Sequence, residues 1–119
     1  MNERIDYIEL RSGEHETTKS FYTDAFGWGF VDYGPEYAGF DGAGLDGGLD
    51  AAGAEGQAPL VILKSDDLGD ALARVEAAGG AVTRAPYDFP GGRRFHFRDP
   101  AGNELAVWAA PAEGPGHDG

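Results

Sequence analysis

The apolar pattern of this 119-residue chain runs through once and then starts again after Pro59. That repetition restricts the fold more than any other feature. In the first pass, Ile5 to Leu10 alternates with period two, as a half-buried strand does. Glu14 to Phe26 follows with Phe21, Tyr22, Ala25 and Phe26 at helical spacing behind a Ser12-Gly13 start, and Gly27 ends it. Trp28 to Tyr33, Glu36 to Phe40 and a weaker Leu45 to Asp50 read as strands between Gly and Pro turns. In the second pass Leu60 to Lys64 is a strand, Ser65 or Asp66 caps a helix with Leu68, Leu72 and Val75 inward, and Gly79-Gly80 stops it. Ala81 to Arg84, Arg93 to Arg98 and Glu104 to Trp108 complete it as strands, with loops expected at 34–37 and 85–92. Each half is β-α-β-β-β. The expected organisation is one α+β domain over 1–110, with halves 5–50 and 59–109, a flexible connector at Ala51 to Ala58 and a disordered tail at 111–119.

The segment Phe95 to Leu105 is where a site is expected. Asp99-Pro100 stops one strand, because proline fixes φ and lacks a ladder donor. Gly102 and Asn103 are read as the φ > 0 positions of a tight reversal. Period two places Arg94, His96 and Arg98 on one face of the incoming strand, and Glu104, Ala106 and Trp108 on one face of the outgoing strand. A short connection makes the two strands antiparallel, so His96 and Glu104 are the candidate catalytic pair. Histidine titrates near neutrality, and a neighbouring carboxylate fixes its tautomer. A histidine bonded only for stability, and a glutamate paired with Arg94 or Arg98, fit the same pattern.

A formal charge of -12 argues against nucleic acid and anionic membranes as partners, since both are bound through Lys and Arg. Arg84, Arg93, Arg94 and Arg98 nevertheless fall in one segment, giving a local cationic spot suited to a carboxylate or phosphate. Pairing with surface acids is the alternative. The absence of cysteine excludes disulfides, thiolate nucleophiles and Cys-based metal sites. With no long apolar run and no basic, apolar leader, neither a membrane span nor a secretory signal is expected, and the chain reads as cytoplasmic.

The duplicated β-α-β-β-β order, the Phe21-Tyr22-x-x-x-Phe26-Gly27-Trp28 helix ending, the Gly79-Gly80 stop and the Asp99-Pro100-x-Gly102-Asn103 turn resemble the vicinal oxygen chelate superfamily. That superfamily includes glyoxalase I, extradiol dioxygenases, and bleomycin- and fosfomycin-resistance proteins. The resemblance implies tandem βαβββ modules forming an eight-stranded, cup-shaped mixed sheet with outer helices. It also implies a small-molecule site in the cup and a homodimer.

Metal-dependent members carry ligands at positions that fall here on Tyr7, Leu60 and Ala106. Leucine and alanine have no donor, so no metal and no cofactor is expected. A displaced site of Glu9, His96 and Glu104 is the alternative, although a two-residue shift along a strand moves a ligand by about 6–7 Å. His96 also falls where the resemblance places a catalytic tyrosine in extradiol dioxygenases. Arg11 falls where glyoxalase I has a glutathione-contacting arginine. Tyr7, Leu60, Ile62, Phe40 and Trp108 are candidates to line a pocket with Tyr7 as its polar handle, or to be ordinary core. The candidate ligand-binding set is Tyr7, Glu9, Arg11, Leu60, Ile62, Arg94 and Trp108. The expected function is metal-free binding of a small, anionic molecule. A lyase or isomerase using His96 and Glu104 is one alternative, and a metal-dependent glyoxalase- or dioxygenase-like enzyme with a displaced site is the other.

Overall fold

A computed structural model describes residues 1–52 and 58–111. Most of the predicted connector and all but the first residue of the predicted tail lie outside the described residues. Eight strands, in parallel and antiparallel pairs, and two helices make up the described residues, an α+β chain. By its internal contacts the chain divides into two compact units, Asp6–Val61 and Met1–Ile5 with the chain from Ile62 onward.

The first unit carries most of β1 (Arg4–Arg11), then α1 (His15–Phe26), β2 (Gly29–Asp32), β3 (Tyr37–Asp41) and β4 (Gly47–Asp50), with strand order β2-β3-β4-β1. β1 runs parallel to β4, with Glu9 beside Gly48 and Arg11 beside Asp50, whereas β2/β3 and β3/β4 are antiparallel. Tyr22 of α1 stacks on Trp28 at 4.8 Å, Trp28 meets Phe40 at 5.4 Å, and Phe40 meets Phe30 at 5.9 Å. Ring contacts therefore tie the helix end to the sheet. Phe21 and Phe26, at helical spacing with Tyr22, are 57% and 64% exposed. They form an aromatic ridge with Tyr22, and no residue of α1 is fully buried.

The second unit carries most of β5 (Leu60–Lys64), then α2 (Leu68–Ala77), β6 (Ala81–Phe89), β7 (Gly92–Arg98) and β8 (Glu104–Ala109), ordered β5-β8-β7-β6. Its core is Ala71 of α2 with Phe95 and Val107 of the sheet, surrounded by Leu63, Leu68, Leu72, Val75 and Phe97. Burying side chains of this size contributes about 1.5–3 kcal/mol each. These strand residues occupy alternate positions, so the other face of β7 and β8 is left for Arg94, His96, Glu104 and Trp108.

Three local expectations are corrected. Asp67, rather than Ser65 or Asp66, caps α2: its Oδ1 accepts the Asp70 N–H at 3.0 Å. The buried Ser65 is used one step earlier, its hydroxyl accepting the Asp67 N–H and donating to Glu3 Oε2 at 2.6 Å. In the Asp99-Pro100 turn only Gly102 has positive φ, at 94°; Asn103 instead donates its N–H to Asp99 Oδ1. The segment 85–92 is largely strand, because β6 continues to Phe89 and turns directly into β7.

Candidate binding face on the second unit

The connection after Asp99 is short, so β7 and β8 pair with Arg94 opposite Trp108, His96 opposite Ala106 and Arg98 opposite Glu104. Residues opposed in an antiparallel pair share a face, and diagonal neighbours lie within reach of long side chains. His96 reaches diagonally to Glu104, with Nδ1 3.3 Å from Oε2. It is 6% exposed, whereas the Glu104 side chain is 41% exposed. Thr83 Oγ1 donates to the same carboxylate oxygen at 3.3 Å.

The partner on the other side of the ring is Tyr87, whose hydroxyl lies 2.9 Å from His96 Nε2. Arg94 Nε donates to that hydroxyl. Donor and acceptor capacities then fix the direction of the whole chain. A carboxylate only accepts, so Nδ1 carries the imidazole proton; Nε2 is bare and accepts from the Tyr87 hydroxyl, which in turn accepts from Arg94. Burial, first, and then the charge of Arg94 push the His96 pKa below its ordinary value, with Arg84 acting the same way. Glu104 opposes them but is outweighed, so the balance favours the uncharged ring.

The Arg84 guanidinium sits 3.7 Å from the Tyr87 ring centroid, and that of Arg94 at 5.6 Å. Spaced three apart, Arg84 and Tyr87 would lie on opposite faces of a regular strand. The pairing of β6 with β7 slips between Val82 and Arg84 and again between Arg84 and Tyr87, which opposes Arg84 to His96 and Tyr87 to Arg94. Tyr87 and Thr83 are thus members of the site that alternation counting missed, and Arg84, read from the sequence only as part of a cationic segment, is placed beside them. The alternative pairing of Glu104 with Arg94 or Arg98 is not formed; Glu104 instead accepts a hydrogen bond from His96.

The other predicted residues are distributed as follows. Trp108 flanks the same face, 6.1 Å from Phe89, with the Lys64 ammonium 5.1 Å over its ring. Ile62 is 2% exposed and alternates with Leu63, which packs with the α2 core. Tyr7, Glu9, Arg11 and Leu60 belong to the first unit. There the Tyr7 hydroxyl bonds the Tyr37 hydroxyl, and Tyr37 donates to the buried Glu9 at 3.3 Å. Burial, the Tyr7 hydrogen bond and the Glu9 charge push the Tyr37 phenol far above its ordinary pKa. A side chain at Gly48 would collide with the Tyr37 hydroxyl, so only glycine allows this ring to lie across β4. Arg11 closes β1 beside Asp50, and Leu60 is 2% exposed. His15 is half-buried at the start of α1 with both ring nitrogens shielded. The first unit also has an open depression of about 460 Å³ lined by Asp6, Asp41, Asp46 and loop glycines, with no basic group.

The positions that would carry metal ligands do not fit an ion. Leu60 and Ala106 present hydrocarbon only, and Ala106 is fully buried. No three His, Asp or Glu side chains among the described residues group closely enough to hold a cation. None of the helices among the described residues is long and apolar enough to cross a membrane.

The anthracycline biosynthesis protein DnrV of Streptomyces peucetius is 33% identical over 86% of this chain but only 45% of its own length. The chain spans under half the length of the curated relatives it matches. A Mn(II)-bound glyoxalase from Novosphingobium aromaticivorans superposes with TM-score 0.65 at 25% identity, over 92% of this chain and 41% of that one. A superfamily member from Vibrio splendidus has the same fold, with TM-score 0.67 at 19% identity over 92% and 99% of the two chains. The family model for these proteins matches residues 4–107, and the chain belongs to the Glyoxalase/Bleomycin resistance protein/Dioxygenase superfamily.

Proposed function

We propose that this protein is a metal-free member of the superfamily that binds a small anionic molecule on the face formed by Arg84, Tyr87, Arg94 and His96. The observation that carries this reading is the convergence of two guanidiniums on one tyrosine ring beside a buried histidine. Guanidinium only donates, in a planar fork matched to carboxylate or phosphate, so the face selects acceptors. Both His96 nitrogens are engaged within the protein, which favours a positioning role over proton transfer. The donor-free Leu60 and Ala106 support a reading without metal. A relative named for anthracycline biosynthesis makes a small organic molecule a fitting ligand class. The rest of the reading is a single domain over 1–110 acting in the cytoplasm as a homodimer, supported by the exposed Phe21 and Phe26 and tested by light scattering.

The second reading, a lyase or isomerase, is favoured by the His96–Glu104 hydrogen bond, the arrangement by which a carboxylate orients a general base. A thermal-shift screen of carboxylates and phosphates on chelator-treated protein tests the first. Ligands that bind only the native state raise the melting temperature. The expected result is a rise with anions that Arg84→Gln reduces, and no stoichiometric divalent ion by elemental analysis. A tightly bound metal in each chain, or no anion that shifts the midpoint, overturns it. Turnover of a carbonyl substrate that is lost in His96→Ala would replace it with the second.

A further inference from the structure

The binding face does not end at Tyr87. Along one surface of the second unit, cations and aromatic rings alternate: Arg84 over Tyr87 at 3.7 Å, Arg94 between Tyr87 at 5.6 Å and Phe89 at 5.5 Å, then Phe89 against Trp108 at 6.1 Å, and Lys64 over Trp108 at 5.1 Å. Energetically significant cation–π contacts occur roughly once per 70–80 residues. Four on one face of half this chain are therefore a local concentration that packing alone does not require. The strands enforce it: Arg94 and Trp108 are opposed in the β7/β8 register, and Tyr87 and Arg94 in the β6/β7 register. Arg84, at the open end, is exposed and has no carboxylate within ion-pair distance among the described residues.

We propose that this ladder is a binding surface for a planar aromatic anion, whose ring packs along Phe89 and Trp108 while its carboxylate or phenolate faces the row of guanidiniums, Arg94 beside Phe89 and Arg84 beyond it over Tyr87. The proposal rests on the anion-binding reading above and narrows it. An aliphatic anion gains only the guanidinium contact, and a neutral ring only the stacking. A charged ring gains both, and by joining the row it meets cations at its faces as the protein's own rings do.

The test uses the full chain and three probes: 2-naphthoate, cyclohexanecarboxylate and 2-naphthalenemethanol. Affinity is read by calorimetry, and location by the NMR signal of the Trp108 indole N–H, assigned with Trp28→Phe. The expected result is 2-naphthoate at least about tenfold tighter than either other probe, with a shift of the Trp108 signal. Arg84→Gln, at an exposed position, weakens 2-naphthoate at least about fivefold. Phe89→Leu does the same but leaves cyclohexanecarboxylate unchanged, and Phe89→Tyr restores the aromatic preference. Equal binding of the two carboxylates, or 2-naphthoate binding that leaves Trp108 undisturbed, overturns the ladder while the anion reading stands. The alcohol binding as tightly as 2-naphthoate, or no probe binding, overturns both.

Discussion

Replacing Tyr87 with phenylalanine tests the directional hydrogen-bond chain most directly, because it removes one oxygen and keeps the ring under Arg84 and Arg94. The Tyr87 hydroxyl has two roles: it accepts from Arg94 Nε and donates to His96 Nε2. Arg94 keeps other donors and is only half-buried, so solvent compensates part of its loss. His96 is 6% exposed, and a bare Nε2 left without a donor carries the desolvation cost of an unsatisfied polar atom, about 1–3 kcal/mol. Because Tyr87 is itself half-buried, water reaches the vacated position in part, which places the expected loss at about 1–2 kcal/mol. For a chain of this size that is a fall in melting temperature of about 4–8 °C. The assay is denaturant unfolding of wild type, Tyr87→Phe, His96→Leu and the double variant, which isolates the pairwise energy. Imidazole ¹⁵N shifts should report an Nδ1–H tautomer in wild type, held by Glu104 on one side and Tyr87 on the other. A coupling energy near zero, or an Nε2–H tautomer, refutes the chain.

The His96 pKa is depressed in the fold, so between its folded and ordinary values the unfolded state binds a proton that the native state does not. Its contribution to stability is present above the ordinary value of 6.5 and is lost as pH falls through the folded value; Arg94→Gln should raise the folded pKa in an NMR titration. Glu3, held at about 2 by hydrogen bonds from Arg74 and Ser65, contributes stability above the ordinary 4.5 that fades as pH falls towards 2. Glu3→Gln should flatten this acid limb in pH-dependent melting. Gly48→Ala should displace the Tyr37 ring and cost about 1–3 kcal/mol by overpacking; an alkaline absorbance titration should then show Tyr37 ionising closer to the ordinary range. Phe95→Ala, at the fully buried centre of the second unit, should cost about 3–5 kcal/mol in chemical denaturation.

The two-pass order of elements was legible in the sequence because hydrophobic period and Gly/Pro punctuation are local properties, and the strands and helices of the structure follow that order. The shared face of His96 and Glu104 was legible for the same reason: a five-residue connection leaves little choice but an antiparallel pair, and the pleat does the rest. Tyr87 was not legible, and Arg84 was legible only as part of a cationic segment, not as a neighbour of His96. Pro86 reads as a strand breaker, and alternation separates residues spaced three apart; only pairing with β7, with its two register shifts, brings both to His96. The protonation of His96 likewise could not be read from its sequence neighbours, since Glu104 alone would favour the charged ring. Burial and the guanidiniums of Arg94 and Arg84 reverse that balance, and both are products of tertiary packing.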